Sequence, residues 1–285
     1  MSLGVLYICA TPIGNLEDIS ARALRVLSEA DVIAAEDTRH SRILLEHYQI
    51  RKPLVSYHEH NKMSRTAELL ERLKQGESVA LISDAGTPVI SDPGDMLVKA
   101  ALEAGIPVTS LPGPCALITA LTMSGLSARR FVFEGFLPTE KKERGEILKS
   151  LANEQRTIIL YEAPHRLLKT LTELSDILEP ERAVCLCREL TKIHEEALLT
   201  TLSGAVSMLK EKEPRGEYVL VLAGKSEALV KKEMTAAWEA AAPEEHLAEY
   251  MKKGLNKKEA IKAMAEDFAL SRNEIYKMLI SRTTN

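Results

Sequence analysis

The 285-residue sequence is poor in aromatic residues, 4% with a single Trp, and has only four cysteines. Those four, Cys9, Cys115, Cys185 and Cys187, contain no C-x2-C pair, which excludes the usual zinc and dithiol-redox spacings, and they are too few for a disulfide scaffold. No apolar run approaches the roughly 18 residues of a membrane-spanning helix. The start, MSLGVLYICATP, lacks the basic and long apolar segments of a secretory signal, so a cytoplasmic location away from membranes is expected. Two nucleotide signatures are also missing, G-x-x-x-x-G-K-[ST] and a G-x-G-x-x-G after the first strand. Nor is there an excess of positive charge: 37 Lys and Arg stand against 41 Asp and Glu, a net −4. That balance argues against a uniformly basic nucleic-acid binder, although an average conceals local patches.

What remains is an ordinary globular composition, 45% apolar and 27% charged, long enough for two domains. From residue 3 to 111 short apolar runs alternate with amphipathic segments. Strands are predicted at 3–9, 31–35, 53–57, 78–83 and 106–111, with helices at 18–30, 38–48, 63–76 and 95–105. This rhythm predicts an α/β domain over 1–125 with a mainly parallel sheet. A second α/β domain over 126–228 is predicted with a mixed sheet, because the strands at 182–190 and 194–202 are joined by only a few residues. Residues 129–136 read as a crossing strand or linker, and further strands are predicted at 156–162 and 216–224, with helices at 141–153 and 164–178. Cys185 and Cys187, two apart on one strand, read as buried thiols. His58-x-His60 lacks neighbours to complete a metal site, so no metal is expected.

Three strands of the first domain run into loops rich in Gly and Pro: Thr11-Pro12-Ile13-Gly14-Asn15-Leu16, Ser83-Asp84-Ala85-Gly86-Thr87-Pro88, and Leu111-Pro112-Gly113-Pro114-Cys115. Loops at the carboxyl ends of strands line the ligand crevice of an open α/β sheet. Glycines there admit a ligand close to the backbone and prolines stiffen the loop before binding. Any one of them alone reads better as a tight turn; three together predict a crevice. With Asp84 and backbone groups but few cations, that crevice suits a ligand bearing ribose hydroxyls, an adenine edge and a cationic centre without phosphate. S-adenosylmethionine has those parts.

The motifs TPIGNL, AAEDTR (34–39), SDAGTP, DPG (92–94), LPGPC, EGFLP (134–138), YE-P-HR (161–166), RELTK (188–192) and RGEYVL (215–220) occur in one order. In them the chain closely resembles the bacterial 16S rRNA (cytidine-2′-O)-methyltransferases of the tetrapyrrole methylase superfamily. The resemblance covers residues 5–224 and continues into SRNEIY (271–276). It implies two α/β domains with the methyl donor in the cleft between them, a homodimer, and a 2′-O-methyl transfer to a cytidine in the decoding region of the 30S subunit. It also implies that Asp84, Ala85, Gly86, Thr87 and Pro88 hold the ribose and methionine parts of the donor. Cys115 and Ala116 match a second donor loop; Tyr161, Glu162, Glu217 and Tyr218 match the wall over the adenosine.

The first loop, with Pro12, Gly14 and Asn15, matches the superfamily's acceptor-side loop, which reads G-x-G-P-G in relatives. Here it has one glycine and an added Asn15, a departure from a tetrapyrrole-shaped acceptor. Two alternatives accompany this reading: a relative that methylates a small molecule or a protein side chain, and a non-catalytic RNA-binding factor of ribosome assembly. For help to the hydroxyl, Glu36, Asp37 and Arg39 follow one strand and Arg188, Glu189 and Lys192 end another. The same six read nearly as well as an ion-pair network, and none is singled out as a base. Arg166, Arg39, Lys141, Lys142 and Arg144 are candidate phosphate contacts.

The tail changes character. Residues 235–245 read as a linker or loose helix, and 240–285 as a small helix-turn-helix-like module. Asn256–Glu259 and Ser271–Glu274 have the spacing of capping boxes. Leu247, Tyr250, Met251, Ile261, Met264, Phe268, Ile275, Met278 and Leu279 are predicted to face inward. Residues 252–285 hold eight Lys and Arg against four Asp and Glu, a local +4 that leaves −8 elsewhere. Lys257, Lys258, Arg272, Lys277 and Arg282, if outward, would meet an RNA backbone; a solubilising or dimer-bracing module is the alternative.

Overall fold

The computed structural model describes residues 3–239, 242–268 and 270–281. Two units are separated by their internal contacts: residues 1–152 with 156–223, and residues 153–155 with 224–285.

The first unit contains two five-stranded sheets. The first is built from β1 (Leu6–Cys9), β2 (Val32–Ala35), β3 (Leu54–Ser56), β4 (Val79–Ile82) and β5 (Val108–Leu111), in the order β3-β2-β4-β1-β5 and parallel throughout. β2 and β4 are apolar and buried along their whole length, as a strand covered on both faces must be. One face packs on α1 (Ala21–Glu29) and α2 (Thr38–His47) through Ala23, Val26, Leu27 and Leu45. The other packs on α3 (Lys62–Lys74) and α4 (Asp95–Glu103) through Leu69, Leu73, Leu97 and Ala101. Helix α1 begins later than the predicted segment, because Ser20 caps it by accepting the Ala23 amide at 3.1 Å and residues 16–18 form a separate short turn of helix.

The second sheet has the order β6-β7-β10-β8-β9, from β6 (Phe131–Phe136), β7 (Thr157–Glu162), β8 (Ala183–Arg188), β9 (Glu196–Thr201) and β10 (Tyr218–Leu222). β6 runs parallel to β7, and the remaining pairs are antiparallel. Residues 131–136 are therefore an edge strand rather than a linker. One face is covered by α6 (Lys141–Ala152), α7 (Pro164–Ile177) and α8 (Leu202–Glu211). Helix α8 was not foreseen from the sequence. Its N-cap Thr201 accepts the Gly204 amide at 3.1 Å, and it buries Leu202, Ala205 and Leu209 on one stripe.

The opposite face of the second sheet receives α5 (Ala116–Met123), which follows the first sheet in the chain. Leu117, Ala120 and Leu121 meet Ile159, Cys185, Cys187, Val219 and Val221 there. Cys185 and Cys187 are free, buried thiols 3.7 Å apart, with Cys187 Sγ also 3.7 Å from the Ala120 carbonyl. Burial thus explains why these cysteines sit on one strand face.

The second unit holds α9 (Glu227–Glu239), α10 (Pro243–Lys252), α11 (Lys257–Asp267) and α12 (Arg272–Ser281). Within the stretch read as a linker or loose helix, 235–245, the described residues are helical up to Glu239, where α9 ends, and again from Pro243, where α10 begins. Trp238 stacks on His246 at 5.1 Å and meets Phe268 edge-on, giving that segment the core contact that holds it in place. Ile261, Met264 and Ile275 are buried in the same core, whereas Met251, predicted inward, is 46% exposed. Both capping boxes form: Asn256 with Glu259, and Ser271 with Glu274. Among the described residues no helix is long and apolar enough to cross a membrane.

Candidate functional site

Strand order explains where the three Gly and Pro loops meet. β4, β1 and β5 are adjacent and parallel, so the loops after them leave the same end of the sheet side by side. They are joined to one another. Thr11 and Gly86 exchange backbone hydrogen bonds at 2.9 and 3.0 Å, the Thr11 hydroxyl donates to the Ser83 carbonyl at 3.1 Å, and the Thr87 hydroxyl donates to the Pro114 carbonyl at 2.9 Å.

The second sheet supplies the other wall by a similar rule. β10 is antiparallel to β7 and β8, so its first residue, Tyr218, pairs with the last residues of both, Glu162 and Arg188. Three motifs far apart in sequence thus reach one sheet end.

Between these ends lies a cavity of 420 Å³. It is lined by Asp84, Ala85, Gly86, Thr87, Cys115, Ala116, Tyr161, Glu162, Glu217 and Tyr218, which are the expected donor residues apart from Pro88, a buried residue of the same loop. Ile13, Ile90, Ser91, Asp92, Phe136, Leu190 and Val219 also line it and were given no site role from the sequence. The DPG and EGFLP motifs were the available signals for Asp92 and Phe136. The lining includes four carboxyls and no Lys or Arg.

Each carboxyl is held differently. Glu162, 2% exposed, accepts the Ala163 amide and Arg166 Nε at 2.8 Å and the Thr170 hydroxyl at 2.5 Å. Glu217 is paired at 2.8 Å with Lys192, which also reaches Glu189 at 3.1 Å. Asp84 accepts the Asp37 amide at 3.1 Å. Burial pushes the Asp92 carboxyl up to about 6, with the charges of Glu36 and Asp84 adding and a Ser83 hydrogen bond opposing. Glu36 is raised as well, by burial first and then by Asp84. On the aromatic side, Tyr161 meets Phe133 and Phe136 edge-on at 5.0 and 5.6 Å, and burial raises its phenol.

The six residues considered for activating a hydroxyl lie around the cavity rather than in its lining. Asp37 caps α2, accepting the Arg39 amide, and pairs at 2.8 Å with the Arg39 guanidinium, whose side chain is 90% exposed. Those bonds hold the Asp37 carboxyl well below the usual carboxylate range. Arg188 donates to the Arg215 carbonyl at 2.9 Å and pairs with Glu196 at 3.3 Å. Glu189 and Lys192 complete the bridge to Glu217.

Gly14, Asn15, Glu189, Thr191 and Lys192 border a neighbouring recess, and Ile13 and Leu190 carry the chain from it into the cavity. Gly14 is required by close approach: a Cβ there would stand 2.4 Å from Lys192 Cγ and 2.9 Å from the Leu190 carbonyl. Pro12 is partly buried at the root of the same loop. Arg166 lies 6.0 Å from the Phe136 ring while paired to Glu162. Arg144 is not available to phosphate, because it is buried against Glu173 and Thr170, 2.7 Å from each. Lys141 and Lys142 are exposed. His58 is tied to Asn61 at 3.1 Å, and among the described residues no group of three or more His, Cys, Asp or Glu is placed to hold a metal.

Residues 5–206 match the model of the Tetrapyrrole (Corrin/Porphyrin) Methylases. Over 276 residues, 97% of both chains, the sequence is 49% identical to Ribosomal RNA small subunit methyltransferase I of Synechocystis sp.. The chain belongs to the tetrapyrrole methylases and, within them, to the family of ribosomal RNA small subunit methyltransferase I. A family member of that name from Thermotoga maritima is 49% identical over 223 residues, 78% of this chain and 100% of its own length. About a fifth of this chain therefore has no counterpart there. The tetrapyrrole methylase fold is also that of uroporphyrin-III C-methyltransferase from Thermus thermophilus, solved with S-adenosyl homocysteine. That structure is 20% identical, with a TM-score of 0.56, and the match covers 77% of this chain and 97% of the other.

In the second unit Lys257, Lys258, Arg272 and Lys277 are exposed, and Arg282 lies outside the described residues.

Proposed function

We propose that this cytoplasmic protein transfers the methyl group of S-adenosylmethionine to the ribose 2′-oxygen of a cytidine in 16S rRNA, within the 30S subunit. The observation that carries the donor assignment is the cavity lining, four carboxyls with no basic side chain. A phosphate-bearing cofactor would be repelled there, whereas a ligand with a sulfonium and an ammonium group is attracted. Asp84 is suited to hold ribose hydroxyls, the backbone of Ala85–Thr87 and Cys115–Ala116 to meet the methionine part, and Tyr161, Phe136 and Tyr218 to cover the adenine.

The rRNA substrate is supported by the family and by the first loop, whose single glycine and Asn15 suit a polar acceptor. A sulfonium is already a good leaving group, so the protein contributes chiefly by orienting donor and hydroxyl. Gly14, Asn15 and Lys192, at the recess beside the donor cavity, are placed to receive the nucleotide. We assign a supporting role on RNA phosphates to Lys257, Lys258, Arg272 and Lys277, and a homodimer as the working assembly.

The test is transfer of labelled methyl from S-adenosylmethionine to 30S subunits from cells lacking the protein, with calorimetry of S-adenosylhomocysteine alongside. Binding together with labelled ribose supports the reading. Labelled protein or base, or no donor binding, contradicts it.

A further inference from the structure

The proposed reaction needs somewhere for the hydroxyl proton to go, and the cavity offers four carboxyls. Three are committed. Glu162 already accepts three hydrogen bonds, Glu217 is paired to Lys192 with its side chain 81% exposed, and Asp84 is positioned by the Asp37 amide and faces the expected ribose hydroxyls. Asp92 remains.

The backbone around Asp92 is fixed. Val89 and Ser91 adopt left-handed conformations, φ 77° and 63°, which are costly for side-chain-bearing residues and persist only where the surroundings impose them. Gly94, at φ 149°, lies so close to the core that a Cβ would stand 2.7 Å from Val89 and 2.8 Å from Leu81 of β4. The loop is thus pinned to the sheet, with Asp92 on the cavity wall.

We infer that Asp92 is the general base, accepting the proton of the acceptor 2′-hydroxyl as the methyl group is transferred. This deepens the methyltransferase reading and rests on it. In the step, the bond from the methyl carbon to sulfur breaks and its electron pair stays on sulfur, leaving a neutral thioether. A bond from the ribose oxygen to the methyl carbon forms, and the hydroxyl proton passes to the Asp92 carboxylate and then to water.

The surroundings tune this group for the task. Glu36 after β2 and Asp84 after β4 repel its charge, the nearby Ser83 hydroxyl opposes them, and Tyr161 of β7 lies within its electrostatic reach; His58 in turn acts on Glu36. A carboxyl poised at about 6 is ionised at neutral pH yet more basic than an ordinary aspartate.

The test is single-turnover methylation of undermodified 30S subunits by the full chain between pH 5 and 9, for wild type, D92N and E36Q. S-adenosylhomocysteine affinity is measured for each. Wild type is expected to rise to a plateau through an inflection near 6, and D92N to lose roughly 100-fold or more in rate, with donor affinity within about threefold. E36Q, which removes a repelling charge, is expected to move the inflection to lower pH. A D92N enzyme within about threefold of wild-type rate overturns the inference while leaving the methyltransferase reading intact. So does loss explained by donor binding, or an inflection abolished by E36Q and kept by D92N. A wild type that places no methyl on ribose overturns both.

Discussion

The Leu117 amide, at the start of α5, donates to the Tyr161 hydroxyl on β7 at 3.2 Å. The bond ties the helix that leaves the first sheet to a strand of the second, at the cavity wall. Tyr161→Phe leaves that buried amide without its acceptor, and a loss of about 1–3 kcal/mol is expected. Chemical denaturation measures it, and an unchanged midpoint would show that the bond contributes nothing.

Gly14→Ala places a methyl group against the Lys192 side chain and the Leu190 carbonyl. Relief requires the loops of the two sheets to separate, at an expected cost of about 1–3 kcal/mol. Methylation of 30S subunits should fall at least tenfold, while S-adenosylhomocysteine affinity falls less, because Ile13 and Leu190 stand between the recess and the proposed donor cavity. Equal losses in both would mean that the recess does not belong to the acceptor.

Asp92 also sets a pH dependence of stability. Its carboxyl is raised from 3.8 to about 6 in the folded chain, so between those values the native state binds more protons than the unfolded one. Its contribution is lost as pH rises through that window. Asp92→Asn should therefore stabilise the protein at pH 7.5, on the order of 1 kcal/mol after solvent screening, and change little at pH 4. Thermal unfolding at the two pH values checks the sign; destabilisation at pH 7.5 would contradict it.

A chain ending at Gly224 retains both sheets and their cores and is about as long as the 223 residues over which the Thermotoga relative matches. It should still bind S-adenosylhomocysteine and methylate 30S subunits, but with weaker and less salt-dependent subunit binding. Reversing the charge of Lys257, Lys258, Arg272 and Lys277 in the full chain should lower the salt slope by roughly 3, if each meets one phosphate. An unchanged slope would assign the second unit another role.

Much of this was legible in the residues. β4 shows itself as an unbroken apolar run, and the loops after β1, β4 and β5 show themselves by Gly and Pro content. Their adjacency was not legible, because it depends on β4 inserting between β2 and β1. Tyr161, Glu162, Glu217 and Tyr218 came from resemblance, and the antiparallel insertion of β10 is the physical reason they share one end. Asp92 was visible only as part of a motif, since its character comes from burial and from Glu36, distant in sequence, together with Asp84 of the preceding loop. Arg144 illustrates the converse: in a charged helix it reads as a surface cation, yet it fills a buried site prepared by Glu173 and Thr170.

The most direct measurement is a map of ribose methylation along 16S rRNA from cells with and without the protein. The account predicts one cytidine of the decoding region that carries a 2′-O-methyl group only when the protein is present, and that regains it when purified protein and S-adenosylmethionine are added to the deficient 30S subunits. An identical ribose-methylation pattern in the two cell types would contradict it.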